Sequence, residues 1–292
     1  MLTGKSIYHV TQGIGKCFTT DCVKGYYNDL TAKVTMLPSS LNTDKLPLFK
    51  TQTGEEVEFP VEIIQYGLGA FDLYLLTGET TYQVKFMQSV EWAMKFQAPD
   101  GSWNNFFFIY PDHPYGAMVQ GEGASLLLRA YAKTQDQKYL AAAQRALDMM
   151  LKPIDEGGTT AYTDEGPVLM EYTHLPAVLN GWVFAWWGLY DYVLTTDDMG
   201  KYREAMEASC RALIASLPLF STNYWSNYDL GGRTASPHYQ IIHIAQLQAM
   251  YQLTGYPEFA EYADRWLRYQ KNPLNKYMAF MKKAFQKVLE RE

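Results

Sequence analysis

Residues 75–82 read LLTGETTY, and a variant of the phrase returns three times: AKTQDQKY at 132–139, TTDDMGKY at 195–202 and LTGYPEF at 253–259. Each copy carries a threonine, then polar or turn-forming residues, then an aromatic. With Thr77, Thr134, Thr196 and Thr254 as markers, the spacings are 57, 62 and 58 residues. Such a period, a little longer than a helical hairpin, predicts repeated helix–turn–helix units. Both flanks of the turns read as helices: Ala124, Leu127, Leu128 and Tyr131 recur at i, i+3, i+4, i+7, as do Phe259, Tyr262, Ala263 and Trp266. YLAAAQRALDMML (139–151) is helical by propensity.

Four marked turns imply at least eight helices. Hairpins of this length stack into a curved array, so the expected fold is all-α: an α/α toroid, an incomplete barrel of helical hairpins, over residues 59–292. The connections at the other end of each unit, 98–119, 153–176 and 218–237, are longer and hold Gly, Pro, His and Asp. Function carried on loops of a rigid scaffold belongs there. The first 58 residues differ. YYNDLTAKVTML and EEVEFPVEI show β-branched residues and partial alternation, punctuated by Pro38, Pro47 and Pro60. They read as a short N-terminal arm, partly β or irregular, laid on the helical body.

Composition narrows the partners. The net charge is −6 with no basic run, which argues against nucleic acid. The longest strongly apolar runs, such as FFFIY at 106–110, are too short to span a bilayer. The opening MLTGKSIYHVTQGIGKCF lacks the apolar core of a secretion signal, so a cytoplasmic location is expected. Cys17, Cys22 and Cys210 are an odd set without metal-type clustering and read as free thiols. The 23 tyrosines suit either helix seams or a carbohydrate cleft, where a ring stacks on a sugar and its hydroxyl bonds to sugar oxygens.

Four stretches carry candidate chemistry. QAPDGSW (97–103) reads first as a tie between a helix end and the next loop. In YGAMVQGEGASLLLRAY (115–131), Tyr115 and Gln120 either line a groove or accompany a glycine-eased helix contact. In LMEYTHLPAVLNGW (169–182), Glu171, Tyr172 and His174 gather where a loop leads into a helix apolar almost all round. Partial desolvation there would raise the carboxylate's pKa and make it a better base, while a plain capping or ion-pair role is the competing reading. In YWSNYDLGGRTASPHYQIIHIAQLQ (224–248), Tyr228 and Asp229 precede a Gly-Gly turn and Arg233 follows it. His238 and His243 lack the spacing of a two-histidine metal pair, and no metal site is expected.

QYGLGAFDLYLLTG (65–78), YGAMVQGEGASLLLRAY, EYTHLPAVLNGWVFAWWGLYDY (171–192), YDL (228–230) and HIAQLQ (243–248) together resemble the C-terminal catalytic domain of D-glucuronyl C5-epimerases. The resemblance covers roughly residues 55 to 270, in order. It implies an α/α toroid and inversion at C5 of glucuronate residues in a polysaccharide. The family's acidic-tyrosine-proline loop falls on Glu171, Tyr172 and Pro176, its Tyr-Asp-Leu motif on Tyr228, its later tyrosine on Tyr239. Its arginine after Tyr-Asp-Leu is replaced by Gly231 and Gly232, with Arg233 two places on, and Gln240 stands where a histidine is expected.

Removing the weakly acidic proton beside a carboxylate and returning one to the other face requires two groups on opposite sides of the ring, plus donors for the developing charge. The resemblance assigns Glu171 as base and Tyr239 as the opposing acid/base, with Tyr228 and Tyr172 beside them. Tyr115, Gln120, His174 and Asn180 are expected to bind substrate, with Trp103, His238 and His243. Arg233 is expected to reach back through its Gly-Gly turn to the substrate carboxylate. No cofactor is required. The expected partner is a uronic-acid-containing polysaccharide, and a homodimer is left open. The same first step serves a polysaccharide lyase. A uronyl hydrolase, for which Asp229 would be the second carboxylate, and a non-catalytic glycan-binding toroid are the remaining alternatives.

Overall fold

The computed structural model describes residues 10–36, 45–51 and 53–289. Its body is a series of helical hairpins: α2 (Pro60–Thr77) with α3 (Thr80–Phe96), α4 (Ala117–Thr134) with α5 (Gln137–Leu151), α6 (Leu179–Thr196) with α7 (Lys201–Ser216), and α8 (Pro237–Thr254) with α9 (Pro257–Lys271). A last helix, α10 (Pro273–Leu289), lies on α9. Successive first helices are neighbours, α2 with α4, α4 with α6 and α6 with α8, so they form an inner layer and their partners an outer one. This is the incomplete α/α toroid. Among the described residues no helix is long and apolar enough to cross a membrane.

The layers follow from residue pattern. In α6 every residue from Leu179 to Leu189 is buried, as expected of a helix packed on all sides. In α9 only Phe259, Ala263 and Trp266 are buried, one stripe at helical spacing. Glycine sets the α4–α6 distance: a Cβ at Gly188 would lie 2.5 Å from the Gly121 carbonyl oxygen, so the backbones meet directly.

Thr77, Thr134, Thr196 and Thr254 each end an inner helix, where the hydroxyl donates to the carbonyl four residues back. The next residue is left-handed every time: Gly78, Gln135, Asp197 and Gly255. Because each turn is tight, the inner helices run parallel and the long connections gather at their N-terminal ends.

The arm holds a two-stranded hairpin, β1 (Phe49–Lys50) with β2 (Glu56–Val57). Within YYNDLTAKVTML, the alternation read as extended gives way to a short helix, α1 (Thr31–Thr35), packed on α2. Tertiary burial decides here, since the segment lies on a helix rather than beside a strand. Pro38 falls outside the described residues. The arm is fixed by buried polar contacts: Asp72 accepts from the Tyr26 N–H at 2.9 Å, and Arg129, paired with Asp191 at 2.6 Å, donates to the Gly25 carbonyl. Tyr27 donates to Asp191.

Candidate active site

At the N-terminal ends of the four inner helices lies a cavity of about 270 Å³. Each inner helix lines it with its first turns: Val61, Glu62 and Gln65 from α2, Met118 from α4, Asn180 and Phe184 from α6, and Tyr239 and Ile242 from α8. The loops add Asn105, Phe106, Glu171 and Tyr172, and the arm adds Gln12 and Lys33. Parallel helices aim their positive ends at this space, which favours an anionic occupant.

Glu171 is fixed by its neighbours in the chain. Strands β3 (Thr160–Thr163) and β4 (Gly166–Leu169) form a hairpin ending just before it. The Met170 N–H donates to the Thr159 carbonyl at 2.9 Å, and the Met170 carbonyl accepts from Ala117 N–H at the start of α4, at 2.8 Å. The carboxylate then lies on the first turn of α6, where a Cβ at Gly181 would stand 2.3 Å from Glu171 Oε2. That oxygen is buried without a hydrogen-bond partner. Burial pushes Glu171 up to about 7, against the pull of the Tyr172 hydroxyl and the Arg233 charge. At neutral pH the group is therefore divided between acid and carboxylate.

Tyr239 enters from α8, whose start is capped by Ser236. Burial, then the negative charge of Glu171, push its phenol well above the ordinary value, while the hydrogen bond with Tyr228 draws it back. Tyr239 stays protonated at neutral pH. Tyr228 packs against it, ring centroids 4.7 Å apart, and Tyr172 stacks on Phe106 at 4.8 Å. Tyr172 and Tyr228 are raised by burial first and the Glu171 charge second. One carboxyl group and three phenols thus share one low-dielectric region.

Of the remaining expected residues, Asn180 and His238 line the cavity. Asn180 Oδ1 is buried without a partner. Five others lie in the walls or at the surface. Gln120 donates to the Trp103 carbonyl at 3.2 Å, and Trp103 donates to the Ala93 carbonyl at 2.9 Å. His243 contacts Ser226 Oγ at 2.9 Å and is pushed down to about 3 by burial, so it is neutral. His174 is exposed and stacks on His113 at 4.1 Å. Tyr115 is half-buried and does not line the cavity. Gln240, in the place of the expected histidine, accepts from the Ser226 N–H and hydroxyl and donates to Trp266.

Arg233 takes a different course from the one its Gly-Gly turn suggested. Residues 227–234 form a tight hairpin joined to 177–179 by a bridge between Val178 and Asp229. Within it Arg233 pairs with Asp229, which is wholly buried, and its guanidinium lies over the Tyr228 ring. The same pair occupies Asp229, the second carboxylate considered for a hydrolase. Gln12, Lys33, Glu62, Gln65 and Asn105 line the cavity without having been singled out in the sequence. Glu62 sits in the quoted EEVEFPVEI stretch and Gln65 opens QYGLGAFDLYLLTG, so both carried some signal. Lys33 carried none.

Comparison with known proteins places the chain in a family. The family model described as the D-glucuronyl C5-epimerase C-terminus matches residues 88–268, more than half of the chain. The D-glucuronyl C5-epimerase of Caenorhabditis elegans is 28% identical over 212 residues, covering 63% of this chain and 34% of that protein. An uncharacterised protein of Methanocaldococcus jannaschii is 27% identical over 168 residues, 52% of this chain and 51% of its own. The chain thus matches about a third of the length of one curated relative and half of the other. A solved structure of UGL with dGlcA-Glc-Rha-Glc aligns with TM-score 0.48 and 14% identity, over 75% of this chain and 61% of that one.

Proposed function

The chain belongs to the D-glucuronyl C5-epimerase C-terminal family, and we propose that it inverts C5 of D-glucuronate residues within a polysaccharide, giving L-iduronate. The observation that carries the reading is the pairing of Glu171 with Tyr239 on one cavity: an acid poised near neutrality and a phenol held protonated. The Glu171 carboxylate takes the C5 proton, and the electron pair moves into the substrate carboxylate as an enolate. Tyr239 returns a proton to C5 from the opposite face. Glu171 is then neutral and Tyr239 a phenolate, and proton exchange with solvent, through Tyr228 and Tyr172, restores the starting state. Reversal exchanges the two roles. Positioned acid and base groups typically contribute about 10²–10⁴ each, and buried donors around the enolate add to that.

The test is incubation with a glucuronate polymer such as heparosan in deuterated water, followed by NMR. Deuterium at C5 together with iduronate supports the proposal. An unsaturated product moves the assignment to β-elimination. Unchanged polymer that nevertheless binds identifies a glycan-binding toroid.

A further inference from the structure

The enolate needs a cation; Arg233 is felt at Glu171 as a nearby charge, but it is paired with Asp229 and does not itself line the cavity. Among the described residues that line the cavity, Lys33 is the one lysine or arginine. It comes from outside the toroid. The arm meets α2 at Asp72, through the Tyr26 N–H, then passes Gly69 with the Leu30 carbonyl, and reaches Glu62 with Lys33. From residue 72 to residue 62 along α2 is about 15 Å at 1.5 Å per residue. The arm therefore runs from the threonine-turn end of the inner layer to the cavity end and delivers an ammonium group there.

Lys33 Nζ lies 2.7 Å from Glu62 Oε2, with the lysine side chain 7% exposed and the glutamate 21%. Lysines are seldom buried this far unless paired, and a buried pair gives little net stability. The arm has other anchors: Tyr26, Tyr27 and Leu30 are fully buried, and Asp72, Arg129 and Asp191 bind its backbone and the Tyr27 hydroxyl. An ion pair is not needed to hold it. An ammonium has three donors, and the bond to Glu62 uses one. The others can serve a second carboxylate at the cavity.

Resting on the uronate reading of this cavity, we propose that Lys33 binds the substrate's C6 carboxylate, bridging it to Glu62, and that the N-terminal arm thereby selects uronates over neutral sugars. Charge grows on that carboxylate as C5 is deprotonated, so the same contact tightens in the transition state.

The test compares binding of a heparosan hexasaccharide with that of its carboxyl-reduced counterpart, using the full chain and the variants Lys33→Met, Lys33→Arg and Glu62→Gln. Wild type should prefer the carboxylate form. Lys33→Met should lose that preference by about tenfold to a hundredfold, the usual range for a hydrogen bond to a charged group. Lys33→Arg should keep part of it. Glu62→Gln should keep it or bind more tightly, because the ammonium is no longer shared between two carboxylates. A pair that only fastened the arm would instead show Lys33→Met and Glu62→Gln falling together, in step with their melting temperatures, and that result overturns the proposal. So does a wild type indifferent to the carboxyl group, or a Lys33→Met variant that keeps the preference. Binding needs no turnover. A Lys33-dependent preference without C5 exchange sinks the epimerase reading and leaves this one; exchange with a preference indifferent to Lys33→Met does the reverse.

Discussion

The two ends of the inner helices are built on opposite principles. At the C-terminal ends, one solution is used repeatedly. A threonine hydroxyl donates back one turn, and in three turns, at Thr77, Thr134 and Thr254, the same oxygen accepts the N–H two residues on. A left-handed residue then ends the inner helix and turns the chain toward the outer one. At the N-terminal ends nothing repeats: the connections are an irregular loop at 97–116, a β-hairpin within 152–178 and a tight bridge-held hairpin at 227–234. The first end satisfies its backbone locally. The second brings Glu171 Oε2 and Asn180 Oδ1, both buried without protein partners, to the cavity, although such atoms also occur elsewhere in the described residues. Repetition marks where the chain solves folding, and divergence marks where the proposed site lies.

The sharpest test of that division is the pair at the divergent end. Glu171→Gln and Tyr239→Phe should each lower net epimerisation by about 10²–10⁴ while glycan binding survives, because each change removes only a proton-transfer group. Solvent-deuterium exchange should differ between the two, since proton removal from one face can persist when delivery to the other is blocked. Full activity in both variants would end the two-base scheme. Next in size is Gly181→Ala. Its methyl would collide with the Glu171 carboxylate, and displacing a reacting group by about an ångström typically costs on the order of 10²-fold. An active, well-folded Gly181→Ala protein would mean that the position of Glu171 is not critical.

The same division explains what could be read from sequence. The threonine turns were legible because their chemistry is local, complete within a few residues of the marker. Glu171, Tyr172, Asn180, His238 and Tyr239 were legible as clusters beside helix starts, and the structure brings all five to one cavity. Gln120, Trp103 and His243 sit in equally suggestive motifs, yet each has a nitrogen bonded within the walls, which depends on partners 10 to 17 residues away in the chain. Arg233 misled because glycines permit a path without dictating it, and Asp229, four residues earlier, holds the side chain. Lys33 was invisible because its place depends on how the arm's short helix packs on α2.

Titration offers a separate check. Burial raises Asp72, near the threonine-turn end of α2, to about 7, Glu122 to about 8 and Glu171, at the cavity, to about 7. Unfolded carboxyl groups ionise near ~4, so between about pH 4 and pH 8 the folded chain holds protons that the unfolded chain has lost. Stability should therefore be highest at the acid end of that window and decline as pH rises through the folded values, by up to about 1.4 kcal/mol per pH unit for each retained proton. Glu122, which accepts from Gln65 behind the cavity wall, is the cleanest probe. Urea melts of Glu122→Gln across this range should show a shallower decline than wild type; an identical slope would remove Glu122 from the account. Activity should move the other way, rising with pH as Glu171 ionises.

The smallest effect belongs to the repeated end and has to be small for the comparison to stand. Thr254→Val keeps the shape of the side chain and deletes its hydroxyl. The variant loses the 2.7 Å bond to the Met250 carbonyl and the acceptor for the Tyr256 N–H. The Tyr256 N–H lies near solvent while Met250 is buried, so water replaces part of what is lost. A typical net hydrogen bond contributes about 1 kcal/mol, and the variant should lose about that much, a shift of a few degrees in melting temperature for a chain of this size. The left-handed Gly255 remains, so the turn keeps its path. Thr77→Val should behave alike, because its bonds to Leu73 and Glu79 copy those of Thr254. The two losses should add, since the turns share no partner. Turnover measured well below the melting temperature should be unchanged in the double variant. A large loss of activity there would mean that the threonine turns set the geometry of the cavity at the other end of the helices, and the two ends would no longer be separable.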